Sequence, residues 1–187
     1  MSTALRALVV YESMFGNTEQ LARAVAEGLE LDHVDVTVTE VGDAPLGTPL
    51  DVDLLVLGAP THAFSLSRPG TRADAVRQGA PESREDRGLR EWLATAQPPS
   101  GSNGPGVAVF DTRVSKVRRL PKAAGPRAAK IARQRGFTLL SKPIAFVVED
   151  VKGPLGPHEL EHAVQWGRYV AGVARIHVAA ERSRRAS

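Results

Sequence analysis

Five short runs of the chain are rich in apolar residues, and between most of them the apolar positions recur at helical spacing. Leu5 to Tyr11 (LRALVVY) is nearly unbroken and ends in a turn bearing Gly and Asn, the pattern of a strand buried on both faces. Val52 to Ala59 (VDLLVLGA), Gly106 to Phe110 (GVAVF) and Pro143 to Val148 (PIAFVV) read the same way, as a third, fourth and fifth strand. His33 to Val41 differs. There Val34, Val36, Val38 and Val41 are interleaved with polar residues, which predicts a second strand nearer a sheet edge.

From Thr18 to about Leu29, Leu21, Ala22, Val25, Ala26 and Leu29 mark one face of a first helix, with Asn17 as its N-cap. Gly42 to Asp51 is a connection punctuated by Pro and Gly. His62 to Arg87 is irregular and polar, with a helical turn expected around Thr71 to Arg77. Leu89, Trp92, Leu93 and Ala96 give one face of a helix over Gly88 to Ala96, and Pro98 to Pro105 is a loop. A basic helix over about Gly125 to Arg135 is stopped by Gly136. The last helix is expected to start after Gly156, with Pro157 in its first position, and to reach about Ala179. Its inward face is Leu160, Ala163, Val164, Gly167, Val170, Ala171 and Ala174. The polar tail, residues 181–187, is expected to fray, leaving 1–180 as one domain.

Short buried strands joined by crossovers predict an α/β protein: a three-layer, doubly wound, five-stranded parallel sheet with helices on both faces. In such sheets ligands bind outside the carboxyl ends of the strands, at the topological switch point. The unusual residues are therefore sought just after strands one, three, four and five.

Composition narrows the function. The chain of 187 residues is 42% hydrophobic and 24% charged, a globular profile, and no run approaches the roughly 18 apolar residues of a membrane span. Arg6 interrupts the N-terminal apolar run, which argues against a signal peptide, and the expected location is cytoplasmic. With no cysteine there is no thiolate metal site and no cysteine nucleophile. The net charge of +3 is unevenly spread: Thr112 to Val148 holds ten Lys or Arg and no Asp or Glu. That stretch reads as a solvated helix face or as a field for an acidic partner or phosphorylated cofactor. Nucleic acid is not expected, because no binding motif or interleaved aromatic accompanies the charge. His158 and His162 lie four apart without a third ligand in view, and no metal is expected. No nucleophile-elbow sequence accompanies a Ser-His-Asp set, so hydrolysis is unsupported.

After strand one comes Ser13-Met14-Phe15-Gly16-Asn17-Thr18. Hydroxyls, a glycine and a helix N-terminus are what a phosphate needs. The loop lacks the lysine of a nucleotide-triphosphate P-loop and the spacing of a dinucleotide fingerprint, so a small phosphate monoester suits it, or it simply caps the helix. Tyr11 to Glu19 resembles the FMN-phosphate loop of the flavodoxin family, whose pattern after strand one is Ser/Thr-x-Ser/Thr-Gly-x-Thr. Ser13, Gly16, Asn17 and Thr18 match it, while Phe15 stands where the family commonly has a hydroxyl, so one contact would fall to backbone N–H. The resemblance runs through the order of elements along essentially the whole chain. It is close to flavodoxin-domain proteins of high-GC bacteria, which share a Gly-Pro-Leu motif before the last helix, here Gly153-Pro154-Leu155.

The resemblance implies a strand order of 2-1-3-4-5 and bound FMN. It implies that Pro60, Thr61, His62, Ala63 and Phe64 contact the flavin ring, with His62 or Phe64 stacking on it and His62 able to influence its charge. It implies that Asp111, Thr112 and Arg113 embrace the other side, Arg113 as a cation near the reduced ring. To the loop Glu149 to Leu155 it assigns no fixed contact. Trp92 and Trp166 read as core residues. Three functions stay open. One is an FMN redox protein passing electrons to a partner protein. Another is an NAD(P)H-dependent FMN oxidoreductase acting on a quinone. The last is a flavodoxin-like binding module that has lost FMN. The positive charge, and a polar stretch from Ser65 to Arg87 long enough to form a lid or partner surface, lean towards a specialised oxidoreductase.

Overall fold

The computed structural model describes residues 4–47, 51–99, 104–117, 119 and 122–185. In chain order its elements are β1 (Arg6–Tyr11), α1 (Asn17–Leu31), β2 (Asp35–Glu40), β3 (Leu54–Pro60), α2 (Pro69–Arg77), α3 (Leu89–Thr95), β4 (Gly106–Val114), α4 (Ala124–Gln134), β5 (Thr138–Leu139), β6 (Ile144–Val148) and α5 (Glu159–Arg185). All strand pairs are parallel, in the order β2-β1-β3-β4, with β5 and β6 both on the far edge of β4. This is the expected order 2-1-3-4-5, with the fifth position filled in two pieces. Thr138–Leu139 pairs with Gly106–Val107, and Ile144–Val148 pairs with Phe110–Val114. Pro143, which has no N–H to donate, lies in the break between them.

Two cores lie on the two faces of the sheet. Inward residues of β1, β3 and β4 such as Val9, Val56 and Phe110 meet α1 and α5; the alternate residues Val10, Leu57 and Val109 meet α3 and α4. The period-2 alternation of strand side chains makes this three-layer arrangement obligatory once both faces are apolar. On the first face Phe110, Phe146 and Trp166 form an edge-to-face triad with centroids 5.7 to 6.4 Å apart. On the second, Trp92 is buried and its indole N–H donates to the Pro45 carbonyl at 2.9 Å. Both tryptophans are therefore core residues. Helices α1 and α5 approach so closely that a Cβ on Gly28 would sit 2.1 Å from the Val164 carbonyl oxygen, and one on Gly167 2.3 Å from that of Val25.

Several boundaries differ from expectation. Strand β4 continues through Val114, because β6 pairs alongside it as far as Val148. Asp111, Thr112 and Arg113 are thus strand residues, not loop residues. Helix α5 begins at Glu159 rather than Pro157, since His158 adopts the left-handed conformation (φ 63°) and cannot continue a helix. Its start leaves Leu160 43% exposed, so that residue is not part of the inward face. At the other end α5 passes Ala179 and runs to Arg185, held by a bond from the Ser183 hydroxyl to the Ala179 carbonyl and an Arg184–Glu181 pair. Residues 186–187 of the expected tail lie outside those described. No helix among the described residues is long and apolar enough to cross a membrane.

The stretch from Ser65 to Arg87 carries more structure than the single turn expected. Helix α2 ends in a Schellman motif: Gly79 (φ 102°) donates to the Val76 carbonyl, and Ala80 to that of Ala75. Arginines fasten the stretch down. Arg90 donates to the Ser67 and Leu66 carbonyls and to the Ser65 hydroxyl, Arg87 to the Gly42 and Ala44 carbonyls, and Arg84 pairs with Glu19 and Glu40.

Candidate functional site

At the carboxyl end of β1 the chain turns through Gly16 (φ 87°, left-handed) into α1. A glycine suits that conformation, and nothing lies within 4 Å of where its Cβ would be. The Ser13 hydroxyl oxygen accepts from the N–H of Gly16 (3.1 Å) and of Glu19 (3.3 Å), which closes the loop and leaves the hydroxyl proton free to be donated. Among the described residues, the backbone N–H groups of Met14, Phe15, Asn17 and Thr18 have no acceptor. They gather at the positive end of the 15-residue helix α1. The Thr18 and Thr112 hydroxyls meet at 3.4 Å, so a hydroxyl from β4 joins the same group of donors.

Above the loop lies α2. Met14 is buried against Ala75 and Ala80, with Phe15 and Val76 packed beside them. From the other side Lys152 places its ammonium 5.6 Å from the centroid of the Phe15 ring and donates to the Gln78 carbonyl at 2.5 Å. The loop after β6 thus reaches across Phe15 to the end of α2.

After β3, the Thr61 N–H donates to the Thr112 carbonyl and its hydroxyl oxygen accepts the Ala124 N–H, tying β3 to β4 and to the start of α4. His62 and Ser65 then exchange both backbone hydrogen bonds in a two-residue turn. Its central residues Ala63 and Phe64 have φ of 45° and 63°, a conformation that costs a non-glycine residue about 1–2 kcal/mol. The three bonds from Arg90 to Ser65, Leu66 and Ser67 hold this strained turn in place. Phe64 stands at its tip, 49% exposed. His62 is half-buried, and burial first, then the Arg72 guanidinium, pushes its pKa below the usual 6.5, so the imidazole is neutral at pH 7.

A cavity of about 220 Å³ opens between these parts. Its walls are Ser13, Met14, Phe15, Asn17 and Thr18 from the first loop, Pro60, Thr61, His62 and Ala63 after β3, Thr112 and Val114 of β4, and Val148 and Val151 at the end of β6. An adjoining recess of about 190 Å³ shares Phe15, His62 and Val151 and extends under α2 along Thr71, Asp74 and Gln78. One end is a set of hydroxyl and N–H donors at a helix N-terminus, and the other is lined by valines, proline and an imidazole. That pairing suits an anion joined to a flat apolar group.

Ten of the fourteen residues expected at the site line the cavity. Gly16 shapes the loop without lining it, and Phe64 points past it. Asp111 and Arg113 are elsewhere for a clear reason. The Asp111 carboxylate is fully buried, accepts the Gly125 N–H at 2.7 Å at the start of α4, and takes two bonds from Arg113 at 2.7 and 3.1 Å. Arg113 is therefore neutralised by its own strand and directs no lone cation into the cavity. Val114, Val148 and Val151 were not anticipated; only the position of the Glu149 to Leu155 loop at the end of a strand pointed there.

Behind the cavity a second unanticipated group is buried. Glu12, directly after β1, is 1% exposed; one carboxylate oxygen accepts the Leu89 N–H at 2.7 Å and the other has no partner among the described residues. Burial raises its pKa, opposed by Ser67, Leu89 and Arg72. Arg72, also 1% exposed, donates to the Ser67 hydroxyl, the Glu85 carbonyl and Glu91. Gly88 makes this possible: a Cβ there would lie 2.5 Å from the Arg72 guanidinium and 2.6 Å from the Ser67 hydroxyl. The group joins the end of β1, α2 and the start of α3.

A family model described as flavodoxin matches residues 9–69, from within β1 through the first loop to the start of α2. Among solved structures, a flavodoxin from the domain Archaea is 21% identical, with 91% of this chain and 99% of that one covered and a TM-score of 0.62. Flavodoxin 1 from Bacillus cereus is 18% identical, covering 92% and 98%, with a TM-score of 0.60. A flavodoxin of Streptococcus pneumonia is 21% identical, covering 89% and 98%, with a TM-score of 0.61. The fold of this chain is the flavodoxin fold.

Proposed function

We propose that this chain is a flavodoxin-type electron carrier, a member of that family that holds FMN in the cavity at the ends of β1, β3, β4 and β6. The observation that carries the reading is the cradle of unaccepted N–H groups at Met14, Phe15, Asn17 and Thr18, set at the switch point of the sheet and continuous with an apolar lobe. When bound, FMN supplies the redox chemistry; the protein supplies binding, orientation and access. The loop N–H groups, with the Ser13, Thr18 and Thr112 hydroxyls, take the phosphate, and the dipole of α1 favours its negative charge. Val114, Val148, Val151, Pro60 and Ala63 give the apolar lobe its lining. His62, held neutral, offers one ring nitrogen as donor and the other as acceptor without adding charge. Asp111 and Arg113 act at one remove by fixing β4 against α4. The cytoplasm is the proposed location.

The test is retention of flavin. The purified protein is mixed with FMN, desalted and scanned in the visible, then titrated anaerobically with dithionite and, separately, with NADH and NADPH. Flavin bands that stay with the protein, bleach with dithionite and resist the pyridine nucleotides are the expected outcome. Bleaching by NADPH would make it an oxidoreductase, and loss of all flavin on desalting would refute the reading.

A further inference from the structure

The net charge of +3 conceals a strong separation. Residues 1–60 carry ten acidic and two Lys or Arg residues, whereas Thr112 to Val148 carries ten Lys or Arg and no acid. The fold sets the exposed charges of these stretches towards different edges of the sheet. The exposed Glu27, Glu30, Asp35 and Asp43 belong to α1, β2 and the turn beyond it, at one edge of the sheet. The exposed Lys122, Arg127, Lys130 and Arg133 belong to α4 and its approach, beside β4 near the other.

The basic side reaches the rim of the cavity. The start of α4 is bonded to Thr61, and α3 packs on α4. Arg68 ends the segment just before α2, and Arg90 binds the back of the His62–Ser65 turn. Burial first, then the Arg127 and Arg68 guanidiniums, lowers the pKa of Arg90, so each of these two cations acts on Arg90. Among the described residues neither Arg68 nor Arg127 has a carboxylate within ion-pair distance, and Arg90 is held only by neutral oxygens. Of the neighbouring acids, Glu91 pairs with Arg72, Asp111 with Arg113 and Asp74 with Arg77, while Glu12, which also acts on Arg90, is buried out of a visitor's reach. Next to Ser65, which Arg90 holds, the strained turn leaves Phe64 exposed to solvent.

We infer that the rim formed by Phe64, Arg68, Arg90 and Arg127 is the docking face for an acidic electron-transfer protein, with Phe64 as its apolar centre and the arginines as its charged border. The inference deepens the carrier reading by naming the partner's chemistry. Complementary charge raises the rate of encounter and orients it, and the charge separation across the sheet turns the cavity towards an acidic visitor. A backbone strained to expose an aromatic ring is what an interface anchor needs.

The probe is an acidic plant-type [2Fe–2S] ferredoxin. Binding of the oxidised ferredoxin is measured by calorimetry, and electron transfer from the reduced form by stopped flow, on FMN-loaded protein between 20 and 200 mM salt. Arg68→Glu with Arg127→Glu is compared with Arg182→Glu with Arg184→Glu, which changes the net charge equally at the far end of α5, about 35 Å along the helix. The expected result is binding that weakens steeply with salt, about ten-fold slower transfer in the rim variant and less than about two-fold change in the control. Phe64→Ala should weaken binding without altering the salt slope. Absence of salt-sensitive binding to the unaltered protein, or equal effects of the two double variants, would overturn the inference. So would a rim variant impaired only towards NADPH, which would assign the arginines to a nucleotide phosphate. Flavin retention is scored separately for each variant, so a failure to hold FMN stays distinct from a failure to dock, which calorimetry reads without electron transfer.

Discussion

Arg72→Met removes a buried guanidinium while keeping most of the bulk of the side chain, and the structure shows what is left behind. Three acceptors lose a charged donor: the Glu85 carbonyl (2.9 Å), the Ser67 hydroxyl (3.0 Å) and the Glu91 carboxylate (3.2 Å). They do not lose equally. The Glu91 side chain is 38% exposed and still accepts the Gly88 N–H, so water replaces much of its lost pairing. Glu85 is exposed and rehydrates as well. Ser67 is fully buried, and Glu12, 1% exposed, loses a cation that offsets part of the upward effect of burial on its pKa. Breaking a fully buried ion pair costs about 3–5 kcal/mol; with one partner near the surface the expected loss is about 2–4 kcal/mol. For a chain of this size that corresponds to roughly 5–15 °C in Tm. Urea unfolding of flavin-free protein, followed by tryptophan fluorescence, gives the loss directly. Because Arg72 anchors α2, and α2 covers Met14, FMN affinity should fall with it. A loss under about 1 kcal/mol with unchanged FMN affinity would refute the view that this arginine holds the cover over the loop.

Glu12→Gln should stabilise the protein increasingly as pH rises. Burial raises the folded-state pKa above the ordinary 4.5, so the favourable contribution of this group is full below that value and is lost as pH climbs through the raised one; a urea midpoint difference that does not widen between pH 5 and 8 would contradict this. Gly28→Ala sets a methyl 2.1 Å from the Val164 carbonyl oxygen and must push α1 from α5, with an expected loss of about 1–3 kcal/mol by thermal melting. Gly16→Ala meets open space but a φ of 87°, so it should cost about 1 kcal/mol of stability and weaken FMN retention measurably, separating strain from clash.

What could be read from the sequence followed local pattern. Val9, Val56 and Val109 announce buried strands because both faces of a covered parallel sheet are apolar, and Gly136 announces the end of α4 because a Schellman turn needs a left-handed residue. The misreadings share a cause in long-range pairing. Asp111, Thr112 and Arg113 look like a loop, yet they are strand because β6 pairs with them and because Gly125 and Arg113 satisfy the Asp111 carboxylate. Thr138–Leu139 is too short to show a pattern of its own. Helix α2 has little apolar periodicity and is secured by Arg72, whose partners lie 5, 13 and 19 residues away. Val151 lines the cavity only because the loop after β6 closes over Phe15.

Met14, at an unrestricted position of the family's loop pattern, and Phe15, where the family commonly has a hydroxyl, both pack under α2. A hydroxyl at position 14 would face Ala75 and Ala80, where burial without a partner costs a polar group roughly 1–3 kcal/mol. Methionine fills that space instead, and Phe15 packs beside Val76 while giving Lys152 a ring to lie against. The loop's side chains are thus committed to its cover, and its backbone is not: four N–H groups remain directed to whatever enters at the start of α1. The departure at Phe15 is thus matched by its packing against Val76 of α2 and beneath Lys152, and supplies no argument for a lost ligand. The same reasoning links cover and docking face, since the segment from Ser65 to Arg90 that roofs the loop with α2 also presents Arg68 and Arg90 at the rim.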